Sequence, residues 1–124
     1  MITFFVHQIQ AQVFPPISLV YGVASYDDKL RSFNAEDGTF NNVDVLTATL
    51  PSYNIDWMNG IAQDPCTHKS YVIVTDVNVS GRILASIDLA TANCTYIGNL
   101  GDNFSCITFD KFGQLYGVTG KWTF

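Results

Sequence analysis

Apolar residues in this chain come in short alternating runs bounded by turn residues, with no sustained helical spacing. Runs such as Tyr71-Val-Ile-Val-Thr75 and Cys106-Ile-Thr-Phe-Asp110 are dominated by β-branched and aromatic residues, the composition of strands packed on both faces. Turn signals separate them at Asp27-Asp28, Glu36-Asp37-Gly38, Asp64-Pro65, Ser80-Gly81, Thr91-Ala-Asn93 and Lys111-Phe-Gly113. This punctuation predicts strands near 18–24, 29–34 and 42–48, then 57–63, 70–75, 82–88 and 94–98, then 105–109 and 115–119.

The runs also repeat. Met58-Asn-Gly-Ile-Ala-Gln-Asp64 returns as Phe104-Ser-Cys-Ile-Thr-Phe-Asp110, and the strand starts Leu19-Val-Tyr21, Ser70-Tyr71 and Leu115-Tyr116 recur in the same order. Lys29-Leu-Arg-Ser-Phe-Asn34 aligns with Ile83-Leu-Ala-Ser-Ile-Asp88. A period of roughly 45–50 residues built from four short strands is the signature of a propeller blade. The predicted fold is therefore all-β, a β-propeller fragment of about two and a half four-stranded antiparallel blades. Its parts are an N-terminal segment over 1–16 and an incomplete propeller over 17–124, divided into a partial blade (17–50), a full blade (57–98) and a partial blade (104–124).

Gly60-Ile-Ala-Gln-Asp-Pro65, Tyr71-Val-Ile-Val, Leu84-Ala-Ser-Ile-Asp88, Thr95-Tyr-Ile-Gly98 and Leu100-Gly101 together resemble the blade pattern of secreted β-propellers of the NHL-like and YVTN-like groups. The resemblance covers about residues 17 to 119 and implies the fold, while propellers host binding modules and enzymes alike. The Trp-Asp pair of WD40 blades and the Ser-x-Asp-x-Gly-x-Thr-Trp box of sialidases are both missing. Rings close with typically 4 to 8 blades. The chain therefore reads as part of a longer propeller, or as a unit that closes a ring with further copies.

Composition narrows the class. Apolar residues make up 48% of the chain and charged ones only 14%, too apolar for disorder. Glu occurs once, which leaves a helical reading little support. Net charge is −5 and the six basic residues are scattered, so no phosphate-neutralising patch for nucleic acid is formed. No run approaches the ~18–20 apolar residues of a membrane helix. Ile9-Gln-Ala11 before Gln12 has the form of a signal-peptidase site, yet no Lys or Arg precedes it and the apolar stretch from Met1 to Val6 is short. The segment is the remnant of a signal peptide or a first strand. The sequons at Asn78, Asn93 and Asn103 tilt the reading toward an extracellular or secretory-pathway glycoprotein.

Candidate chemistry is sparse. Cys66, Cys94 and Cys106 lack metal-ligand spacing; Cys94 and Cys106 either pair or pack as free thiols. Asp76-Val-Asn78 opens like a calcium loop, but Ile87 stands where the bidentate Glu belongs. His7 and His68 are isolated, with His68 read as a solvated turn residue, and no nucleophile–base set, metal site or cofactor motif is present. The loops expected on one propeller face carry Tyr26, Asp27, Asp28, Tyr53, Asp56, Trp57, Asp76 and Asp102. Such a surface suits a cation, a glycan or a basic peptide, whereas turns also favour Asp and Asn for purely local reasons. The leading functional expectation is a non-catalytic, secreted or cell-surface module presenting loops for protein or glycan recognition. Its rivals are the front part of a propeller-fold enzyme and a structural spacer. Tyr71 is expected to be deeply buried, and Asp27→Asn to leave folding nearly unchanged.

Overall fold

The computed structural model describes residues 19–36 and 44–120. The 1–16 segment, His7, Asp37 and Gly38 of the Glu36-Asp37-Gly38 turn, the start of the predicted 42–48 strand and the final residues 121–124 lie outside the described residues. Among those described there is no helix. Nine strands form three antiparallel meanders. The first holds β1 (Leu19–Gly22), β2 (Lys29–Asn34) and β3 (Asp44–Thr47). The second holds β4 (Trp57–Gln63), β5 (Ser70–Thr75), β6 (Ile83–Ile87) and β7 (Cys94–Asn99). The third holds β8 (Phe104–Phe109) and β9 (Leu115–Thr119). None of the three closes on itself.

Side-chain alternation decides how the sheets stack. From the second sheet, Met58, Val72, Val74, Ile83, Ala85 and Ile87 bury themselves in one cluster with Leu30 of β2, and Tyr21 and Leu46 pack against it. Successive strand residues face opposite ways, so Tyr71 and Ile73 point to the other side of β5. There the Tyr71 ring lies 5.4 Å from that of Phe109 in β8. The central strand β5 is thus covered on both faces, and Val72, Ile73 and Val74 are fully buried. Tyr71 itself is only half-buried. The expectation of a deeply buried ring is corrected, because Phe109 covers one side and leaves the rest open.

β4 and β8 meet almost backbone to backbone. A β-bulge interrupts β4 between Asn59 and Ile61, and another interrupts β8 between Phe104 and Cys106. Gly60 sits in the first bulge at a φ of 57°. A Cβ at Gly60 would stand 3.1 Å from the Cys106 Cα and 3.2 Å from the Ile107 nitrogen. Glycine is required there twice over, by its left-handed φ and by the space.

Hairpin turns follow one rule. Asp64, Asp76, Asp88 and Asp110 each accept a backbone N–H two residues on, from Cys66 (2.8 Å), Asn78 (2.9 Å), Ala90 (2.9 Å) and Phe112 (2.9 Å). These are Asx-turns, in which a short carboxylate stands in for a backbone acceptor. Much of the acidity of the chain is therefore turn architecture.

Candidate functional site

Backbone hydrogen bonds gather most of the predicted loop residues at one end of the sheets. The Asp27 carbonyl accepts from the Met58 N–H (3.2 Å), tying the β1–β2 turn to the start of β4. The Asp56 N–H donates to the Thr75 carbonyl (2.8 Å), and the Arg82 N–H to the Asp102 carbonyl (3.2 Å). Tyr26, Asp27, Asp28, Asp56, Trp57, Asp76 and Asp102 thus share this loop end. Tyr53 does not. The 48–56 connector lays it along the flank of β7, where its ring stacks on Tyr96 with centroids 5.4 Å apart and planes 4° from parallel.

The carboxylates at the loop end are already occupied by the protein. Both Asp27 oxygens meet the Arg31 guanidinium, and one also accepts the Lys29 N–H (3.1 Å). Asp28 pairs with the Lys29 ammonium at 2.6 Å. Asp56 accepts from the Val77 N–H, and Asp102 from the Asn103 N–H (2.7 Å). Asp76 is buried and receives the N–H groups of Asn54 (3.0 Å) and Asn78 together with the Asn78 amide (3.2 Å). These residues staple loops. Among the described residues no three His, Cys, Asp or Glu side chains converge where a metal ion would sit.

The Asp27 carboxylate organises the turn and anchors Arg31, and Asp27→Asn removes that partly exposed ion pair.

Aromatic faces are partly taken as well. The Arg82 guanidinium lies over the Trp57 ring at 5.6 Å, and that of Arg31 near the Tyr26 ring at 6.0 Å. Arg82 was missing from the sequence-based set, yet it links the loops. Its guanidinium donates to Thr75 Oγ1, its N–H to Asp102, and its carbonyl accepts from Leu100 (2.7 Å). Its Nε is buried with no partner. The one available signal was its position just after the Ser80-Gly81 turn, which marks the start of a strand rather than a role. The most exposed large side chains at this end are Tyr26, 77% exposed, and Val77, 67% exposed.

A cleft of about 600 Å³ opens at the opposite end, lined by Tyr21, His68, Lys69, Ser70, Ser86 and Asp88 among others. His68 is exposed in the β4–β5 turn at a φ of 60°. The cleft has hydroxyls and one histidine but no nucleophile held by a base. Cys66 and Cys106 are exposed, Cys94 is buried in the core between the first two sheets, and all three are free thiols. The sequon residues Asn78, Asn93 and Asn103 are exposed. Among the described residues no helix is long and apolar enough to cross a membrane.

No protein-family model and no curated protein matches this chain.

Two expected outcomes arise from this chemistry. Burial pushes the Cys94 thiol up to about 11, so it stays protonated and covered. With the native protein, iodoacetamide followed by mass spectrometry should label Cys66 and Cys106 and spare Cys94; ready labelling of Cys94 would contradict the core placement. The second outcome concerns acid. The Arg31 guanidinium holds Asp27 below the usual carboxylate range, and backbone N–H groups do the same for Asp64, Asp76 and Asp110. Their folded-state values lie below the ordinary 3.8, so near that pH the unfolded chain binds more protons. Stability is present above 3.8 and is lost as the pH falls through the depressed values. A melting temperature unchanged between neutral pH and acid well below that value would contradict the turn assignment.

Proposed function

We propose that this chain is a section of a β-propeller, about two and a half blades, and works as a non-catalytic recognition module in the secretory pathway or at the cell surface. The propeller reading draws support from the repeat, from a bulge in each of β4 and β8, and from the close approach of these strands at Gly60. The three exposed sequons support glycosylation at Asn78, Asn93 and Asn103 and hence the location.

Recognition rests above all on one observation. The loop end is fixed by its own hydrogen bonds while Tyr26 and Val77 project from it. A preorganised surface loses little entropy on binding, and exposed Tyr and aliphatic side chains suit the core of a protein interface. Cation binding draws less support, since the carboxylates already carry hydrogen bonds. Sugar stacking draws less support too, since Arg82 and Tyr96 cover faces of Trp57 and Tyr53. The favoured ligand is a protein.

A photoreactive amino acid placed at position 26 tests this reading, with position 112 as control. Phe112 is 78% exposed but lies in the β8–β9 turn at the opposite end. Applied to intact eukaryotic cells, the chain should give discrete protein adducts from position 26 and none from position 112. Equal adducts from both, or none from position 26, would overturn it.

A further inference from the structure

Two of the three sequons lie at the loop end, Asn78 in the β5–β6 turn and Asn103 in the β7–β8 turn. Asn93 lies in the β6–β7 turn at the opposite end. Their acceptor side chains are held differently. The Asn78 backbone N–H and side-chain amide both donate to one oxygen of the buried Asp76 (2.9 and 3.2 Å). The other oxygen of Asp76 is taken by the Asn54 N–H, and its carbonyl by the Val79 N–H (3.0 Å). These bonds fix the direction of the Asn78 side chain. At Asn93 the carboxamide oxygen is held instead, by the Thr49 hydroxyl (3.1 Å). At Asn103, among the described residues, only the backbone is hydrogen-bonded.

Asn78 directly follows Val77, one of the two most exposed large side chains of the loop end; the other is Tyr26. A short path of contacts joins these two. The Val77 N–H donates to Asp56, and two residues after Asp56 the Met58 N–H donates to the Asp27 carbonyl, next to Tyr26. A stable protein interface takes roughly 800 Å² from each partner. A footprint of that size on Tyr26 and Val77 includes the surface at Asn78. An N-glycan is bulky, so glycan and partner compete for the same ground.

We infer that, given recognition at the loop end, a glycan on Asn78 regulates it: the sugar lies over Val77 and partners bind only the copies that lack it. Transfer from an oligosaccharide diphosphate donor forms a bond from the Asn78 amide nitrogen to the anomeric carbon. It breaks that carbon's bond to the phosphate oxygen and releases one amide proton. The nitrogen keeps its second hydrogen, which retains the bond to Asp76. The first sugar therefore leaves the turn in a fixed direction beside Val77.

Sequon variants produced in eukaryotic cells test it. Ser80→Ala removes the sequon and keeps Asn78 and its bonds to Asp76, since Ser80 is tied only through its carbonyl, which accepts from the Asn99 amide (2.8 Å). Ser80→Thr retains the sequon. Peptide mass spectrometry reads occupancy at Asn78, and hydroxyl-radical footprinting reads the exposure of Val77. Ser80→Thr should carry glycan on Asn78, with Val77 oxidised several-fold more slowly than in Ser80→Ala. With a photoreactive amino acid at position 26 and intact eukaryotic cells as the probe, Ser80→Ala should give several-fold more protein adducts. Thr95→Ala, which removes the Asn93 sequon at the far end, should change neither readout. An unmodified Asn78, equal oxidation of Val77 in the two forms, or equal adducts from both would overturn the regulation and leave recognition standing. Slowed Val77 oxidation with no adducts from either form would overturn the recognition reading itself, and the regulation with it.

Discussion

Gly60→Ala should destabilise the protein far more than Gly101→Ala, although both replace a glycine of positive φ. Gly101 has a φ of 73° and open space around its missing Cβ. Its substitution incurs the left-handed backbone cost alone, about 1–2 kcal/mol. At Gly60 the φ is 57° and the new carbon meets backbone atoms of Cys106 and Ile107 at 3.1 and 3.2 Å. Backbone cannot swing aside as a side-chain tip does, so β4 and β8 must separate. Overpacking of this kind adds roughly 1–3 kcal/mol. Against a total stability of about 5–15 kcal/mol, this is a substantial share of what holds the protein folded. Urea midpoints for the two variants make the comparison. Equal midpoints would mean that β4 and β8 do not approach as described.

Ile73→Ala is the second large effect, about 2–5 kcal/mol for emptying a fully buried aliphatic site. Its location gives it a further signature. Ile73 shares the β5 face on which Tyr71 meets Phe109, so the cavity opens between the second and third sheets. Hydrogen exchange should quicken in β8 and β9 before it does in β2. Leu30→Ala, in the cluster between the first and second sheets, should reverse that order. A stack of units that touch only their neighbours behaves in this way. Uniform acceleration in both variants would contradict separate interfaces.

Strand positions were legible because alternation and turn chemistry agree locally. The 70–75 run is β-branched and stops at Asp76, and the 29–34 run alternates between turn signals at Asp27-Asp28 and Asn34; they fold as β5 and β2 over those same spans. The candidate site was less legible. Sequence alone puts Asp27 and Asp76 in loops but does not show whether a carboxylate faces solvent or its own backbone, and here the turns take both. Arg82 escaped notice because its importance lies in what it touches across the fold: Trp57, Thr75, Leu100 and Asp102. The half-burial of Tyr71 is not legible locally, because its cover comes from Phe109 of the third sheet.

Stacking of β4 on β8 is the frame on which the arrangement of the second and third sheets depends. Its most direct test is a nuclear Overhauser measurement between the Gly60 α-protons and the Cys106 α-proton or the Ile107 amide. The close approach of these backbones predicts a strong cross-peak. Assigned resonances with no cross-peak between them would contradict the stacked arrangement.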